Sequence, residues 1–227
     1  MEGNTFTILS FHLLLFFTLL SQQASACNNS TINNPSYYSQ KSTNPSSNQT
    51  VSSSQKNTMN KNNYYKSFVF TSCNTSTYPS ICYQSLYQYA SKIKADPFIL
   101  CNSSLALVLK ESKKTYSVIS KLLRKDSTSE TAAKVLKDCL DNVRSSVDEI
   151  QESLDDMNNL EDSYDKEFQM STIKTYVSSA ITDHETCFDG LDEENVDASV
   201  RDKVRNSVLN VQRMTSNSLY FINNLKY

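Results

Sequence analysis

After its first 26 residues this 227-residue chain contains one glycine, Gly190, and one histidine, His184, and it has no tryptophan anywhere. Phosphate-cradling loops and nucleophile elbows need glycine where backbone must turn sharply or approach a ligand. Imidazole-based acid–base or zinc chemistry ordinarily draws on more than one histidine. The shortage therefore argues against an enzyme, with no catalytic, cofactor-binding or metal-ligating residues expected. Long apolar runs are equally scarce. The one run, from Phe6 to Leu20, precedes the small-residue pattern Ala24-Ser25-Ala26. It reads as a secretory signal peptide over residues 1–26, leaving a chain that begins near Cys27. It falls short of the ~20 residues that a membrane span needs, so no membrane partner is expected after its removal.

Acidic residues are missing from residues 27–72, which hold Lys41, Lys56, Lys61 and Lys66, whereas from Cys73 onward 18 Lys and Arg face 23 Asp and Glu. The folded part is mildly acidic, without the dense basic surface of a nucleic-acid binder. Residues 27–62 are dominated by Asn, Ser, Gln and Thr. Such a stretch has too little apolar surface to offset its conformational entropy and is expected to be a disordered leader. Asn-x-Ser/Thr sequons stand at Asn28, Asn29 and Asn48 within it, and at Asn74 and Asn102 beyond it. In a secreted chain all five are candidate glycosylation sites.

What is present is helical periodicity. Leu105, Leu109, Ser112, Tyr116, Ile119 and Leu123 recur at steps of three and four, behind a helix-opening Asp96-Pro97. Leu136, Cys139, Val143, Val147, Ile150, Leu154 and Met157 repeat the pattern, as do Ile173, Val177, Ala180, His184, Cys187 and Leu191. Val200, Val204, Val208, Val211, Ser218, Ile222 and Leu225 form a fourth stripe. Short polar links make consecutive helices antiparallel neighbours, so the expected fold is all-α. It is an up-down-up-down four-helix bundle over residues 96–227, preceded by a helical hairpin over 63–95.

Six cysteines in an oxidising compartment read first as disulfides. Residue 163, midway between Cys139 and Cys187, lies in the link joining the second and third stripes. Equal rise per residue brings those two cysteines opposite one another. Cys101 sits at the far end of a helix, roughly 30 Å away, beyond the reach of that pair. Cys73 and Cys82 remain as a local pair, and Cys101 is either a free buried thiol or a partner for Cys27. His184, on the apolar stripe beside Cys187, reads as a satisfied core histidine. The acid run Asp148–Asp156 reads as a solvated helix face that could also meet a basic partner.

Three motifs stand together: "CNTSTYPSIC" at 73–82, "AAKVLKDC" opening a helix at 132–139, and "TIKTYVSSAITDHETCFDG" at 172–190. In that combination the chain resembles the plant invertase/pectin methylesterase inhibitor family from about Phe68 to Leu225. The resemblance implies a secreted, cell-wall (apoplastic) inhibitor with disulfides Cys73–Cys82 and Cys139–Cys187. The similar helical domain also occurs as the pro-region of some pectin methylesterases; with the sequence ending at Tyr227, the stand-alone form is expected. "SSAITDHETCFDG" looks like the pectin methylesterase branch, and the implied target is that enzyme, its substrate cleft blocked by stoichiometric binding. Invertase inhibitors carry a Pro-Lys-Phe motif where this chain has "DKEF" at 165–168, so a cell-wall or vacuolar invertase is the alternative target. A non-inhibitory apoplastic structural or signalling module is the alternative from another class. The long leader, Ser76 in place of a common Thr, and the extra Cys101 depart from the family pattern.

Overall fold

A computed structural model describes residues 53–124, 129–193 and 196–227. The expected signal peptide, most of the expected leader, Cys27, Asn28, Asn29 and Asn48 lie outside the described residues. Helices run over Ser53–Asn74 (α1), Pro79–Leu86 (α2), Ala90–Ile93 (α3), Pro97–Leu123 (α4), Glu130–Asn158 (α5), Lys166–Glu193 (α6) and Ala198–Asn224 (α7). No strand occurs among the described residues.

The first helix corrects one expected boundary. Residues 53–62, assigned to a disordered leader, are helical. The stretch lacks both proline and glycine, and adding residues to an existing helix avoids the nucleation cost. The existing helix is anchored downstream, where Val69 and Cys73 are buried and Tyr65 and Phe68 pack against the core.

Each of the four bundle helices starts where a short acceptor side chain meets orphan amides. Asp96 Oδ1 accepts from Phe98 N–H at 2.8 Å and Ile99 N–H at 3.1 Å, with Pro97 in the first helical turn. Ser129 Oγ accepts from Ala132 N–H, Asp165 Oδ1 from Phe168 N–H, and Asp197 Oδ1 from Ser199 and Val200 N–H. Between hairpin and bundle, Lys94 and Ala95 take left-handed φ values of 55° and 60°. A glycine-poor chain thus makes its sharpest turn with two β-carbon-bearing residues.

The helices α4 to α7 form a ring in which each packs on the next and α7 closes on α4. Cys139 and Cys187 are bridged across α5 and α6 with Cα atoms 4.4 Å apart. Cys73 and Cys82 staple α1 to α2 at 5.4 Å. Cys101 is a free cysteine, 1 % exposed, and burial pushes its thiol up to about 12.

The interior is not continuous hydrocarbon. One apolar cluster, at the hairpin end, includes Leu109, Ile150, Ala180 and Val211. The other, around the second disulfide, includes Ile119, Val143, Cys187 and Val208. Between them along α4, α5 and α6 lie Ser112 and Thr115, Ser146, and His184, all buried. Ser146 Oγ donates back to the Val143 carbonyl and Thr115 Oγ1 to the Ser207 carbonyl. Ser112 Oγ and both His184 ring nitrogens have no hydrogen-bond partner. His184 therefore belongs to the core but is not the satisfied histidine expected. Burial holds it neutral, down to about 4.

Candidate functional site

Among the described residues no group of three or more His, Cys, Asp or Glu side chains could hold a metal ion. No described helix is long and apolar enough to cross a membrane. The distinctive electrostatics lie on a surface instead, along the seam between α5 and α6. Glu149, Glu152 and Asp156 recur every three or four residues on one face of α5. Tyr176, Ser179 and Asp183 do the same on α6, so the two rows meet where the helices pack.

Contacts across the seam are specific. Burial pushes the Glu149 carboxyl up, opposed by the nearby Ser179 hydroxyl, and the charges of Asp183 and Glu152 add to the rise. Burial likewise raises Asp183, opposed by the adjacent Glu149 carboxyl. Asp156 is raised by burial and by the charges of Glu152 and Asp155. The Tyr176 hydroxyl is held protonated by the neighbouring Glu152, with the charges of Asp156 and Glu149 adding to the effect. Glu149 Oε2 and Asp183 Oδ2 are shielded from solvent and unpartnered. None of these four carboxylates forms an ion pair among the described residues. Like charges crowded on half-buried carboxyls disfavour ionisation, so the seam is a place where a cation from outside would be welcomed.

A second feature closes the seam at the hairpin end. In the link from α5 to α6, Leu160 is buried and anchors a short 3-10 turn and Tyr164 is fully exposed, while Phe168 in the first turn of α6 is 71 % exposed. At the other end, above the Cys139–Cys187 bridge, Lys134, Asp138, Asn142, Thr186 and Asp189 border a shallow groove of about 340 Å³.

The sequons differ in their surroundings. Asn74 is exposed at the last position of α1. Asn102 lies within the second turn of α4, and its Nδ2 donates to Asn158 Oδ1 at 2.7 Å. Of the seam carboxylates, Glu149, Glu152 and Asp156 were legible only as part of the acid run 148–156. Nothing in the sequence showed that Glu149 would meet Asp183 and Ser179, because that depends on the rotation of two helices about their axes.

A disulfide-stapled helical hairpin followed by a disulfide-bridged four-helix bundle defines the fold class. Residues 67–221 match the family described as "Plant invertase/pectin methylesterase inhibitor". The chain belongs to that family and is an enzyme inhibitor, not an enzyme. It is 35 % identical over 159 residues to the "21 kDa protein" of Daucus carota, covering 69 % of this chain and 82 % of the relative. It is 34 % identical over 157 residues to "Pectinesterase inhibitor 4" of Arabidopsis thaliana, covering 68 % and 79 %. The fold is similar to the crystal structure of a mutant form of a pectin methylesterase inhibitor from Arabidopsis, with a TM-score of 0.54 at 17 % identity. That match covers 68 % of this chain and 94 % of the solved one.

Proposed function

We propose that the protein inhibits a pectin methylesterase of the plant cell wall by stoichiometric binding, with the α5–α6 seam against the enzyme. Relatives named pectinesterase inhibitors support the enzyme class. The observation that carries the surface is the row of uncompensated carboxylates, Glu149, Glu152, Asp156 and Asp183, on two helices fixed by a disulfide. A preorganised surface loses little conformational entropy on docking. Basic side chains beside the enzyme's cleft would complement it, and the bulk of the bundle would exclude the pectin chain. Secretion through the expected signal peptide would deliver the inhibitor to the same compartment as its target.

A second reading has its own observation: Lys166 and Phe168, at the place where invertase inhibitors carry their loop motif, are both exposed. Invertase binding would centre on that loop and leave the seam free. Parallel titrations of secreted protein against a pectin methylesterase and a cell-wall invertase separate the two. Inhibition of the esterase at one-to-one ratio, weakened by Glu149→Gln with Asp183→Asn and untouched by Phe168→Ala, supports the seam. The reverse pattern supports invertase. Inhibition of neither enzyme, by the full secreted protein or by one lacking residues 27–52, would favour the non-inhibitory module. Of the two described sequons we place a glycan on Asn74, since Asn102 is already bonded to Asn158.

A further inference from the structure

We infer that the outer face of the α1–α2 hairpin is a docking platform for an anionic polysaccharide of the uronate class. It goes beyond the proposed function, taking from it only that the protein works among such polymers, and it does not depend on which enzyme is bound.

The hairpin has an inner and an outer face, with the half-buried Tyr83 at their border. Its inner face, with Val69, Cys73, Cys82 and Leu86, belongs to the core. On the outside, Phe70 is 57 % exposed, and its ring meets Tyr83 edge-on at 5.6 Å. Tyr83 in turn lies 4.8 Å from Tyr87, and Lys66 Nζ sits 4.7 Å over the Tyr87 ring. Lys66 and Phe70 are one turn apart on α1, as Tyr83 and Tyr87 are across α2 and the turn after it. The result is a ladder of three rings ending in a cation. Phe70 is the exposed ring, backed by the half-buried Tyr83 and Tyr87; it offers an apolar face to the C–H face of a sugar ring, while the lysine supplies the counter-charge for a carboxylate.

Charge complementarity favours this occupant. Residues 53–95 hold Lys56, Lys61, Lys66, Lys92 and Lys94 and no acid, whereas residues 96–227 hold 16 Lys and Arg against 23 Asp and Glu. None of Lys61, Lys66, Lys92 and Lys94 forms an ion pair among the described residues. A polyanion is drawn to the hairpin and repelled by the bundle, which leaves the seam to the enzyme. The acidic bundle of a second copy is the competing occupant. Three rings and a lysine present much less surface than the ~1,200 Å² that a stable protein interface buries, and a narrow ladder suits a linear polymer better.

Binding of the full chain to polygalacturonate, to its fully methyl-esterified form and to neutral dextran, measured calorimetrically at two salt concentrations, tests the proposal. Saturable binding to polygalacturonate is expected, weakened by salt and by esterification, and absent for dextran. Phe70→Ala and Lys66→Gln should each weaken it about tenfold, the loss of one stacking or charge contact, with the helical circular dichroism unchanged. Both variants should inhibit a pectin methylesterase as before when assayed on short esterified oligomers. No binding, equal binding of dextran, or affinity indifferent to both substitutions would overturn it. So would a dimer in light scattering that Phe70→Ala abolishes while polymer binding is missing. If polymer binds but no enzyme is inhibited, the proposed function fails and this platform stands; the converse result sinks the platform alone.

Discussion

The side-chain amide of Asn217 grips the main chain of Tyr78 from both sides, across 139 residues of sequence. Its Oδ1 accepts from the Tyr78 N–H at 2.7 Å and its Nδ2 donates to the Tyr78 carbonyl at 3.0 Å. The Arg213 guanidinium lies 5.5 Å from the centroid of the same residue's ring. Tyr78 immediately precedes Pro79, the start of α2, and supplies no side-chain cap of its own. The last helix of the bundle thus satisfies the backbone at the one place where the hairpin turns, inside the loop closed by Cys73 and Cys82.

Replacing Asn217 by Ala removes both bonds and leaves a backbone donor and acceptor without partners. The cost should be about 2 kcal/mol, read as a lower urea midpoint at unchanged m-value. Asn217→Asp should also destabilise, since a carboxylate can take the N–H but repels the carbonyl. An unchanged midpoint in both variants would show that water replaces the amide.

Much of the fold was legible because the helical stripes are long and repeat a single period. Ile173, Val177, Ala180, His184, Cys187 and Leu191, placed on one face from spacing alone, are all buried. Antiparallel order followed from short links. The start of α1 was misplaced because composition reports on burial, while a helix can extend past its buried part at little cost. Asn217 was not legible at all. A buried Asn in a helix looks like any polar residue until its partner, fixed by how the hairpin docks, is known. The Glu149–Asp183 contact was hidden for the same reason: one acid run could be seen, but not which member faces a neighbour.

His184 should make the protein sensitive to acid. Its pKa is about 4 in the fold and ~6.5 when unfolded. Between those values the unfolded chain binds the extra proton, so the stability from keeping His184 neutral is complete above ~6.5 and is lost as pH falls to about 4. The loss should approach ~3 kcal/mol, at ~1.4 kcal/mol per pH unit. The raised carboxyls of Glu149, Asp156 and Asp183 work the other way, binding protons in the fold and adding stability as pH falls. His184→Leu separates the two: unfolding free energy measured from pH 7 to 4 should fall less steeply, or rise, in the variant. A variant that keeps the wild-type slope would place the acid sensitivity elsewhere.

Gly190 lies inside α6, away from any left-handed turn, and a β-carbon added there would meet nothing within 4 Å. Gly190→Ala should therefore stabilise the protein by up to about 1 kcal/mol, the usual helix-interior difference. Thermal unfolding reads the gain. Unchanged inhibition would show that this face stays free in the complex, whereas a sharp loss beside higher stability would place the target's backbone against Gly190.

Glu149→Gln carries the sharpest expectation, because stability and binding should move in opposite directions. At neutral pH the Glu149 carboxylate is ionised against its own burial and against the charges of Asp183 and Glu152. A neutral amide of the same shape removes both penalties and can donate to Asp183, so the free protein should unfold at higher denaturant concentration. The same substitution withdraws one of the charges proposed to meet the enzyme's basic groups, which lowers the association rate most at low salt. Paired measurements, equilibrium unfolding on the free protein and association kinetics with pectin methylesterase at two ionic strengths, should show a more stable but slower inhibitor. Stability and association rate rising together would mean that the seam is strained for some reason other than docking. Both falling together would mean that the carboxylate holds α5 to α6, and the enzyme-facing surface would have to be sought at Tyr164 and Phe168.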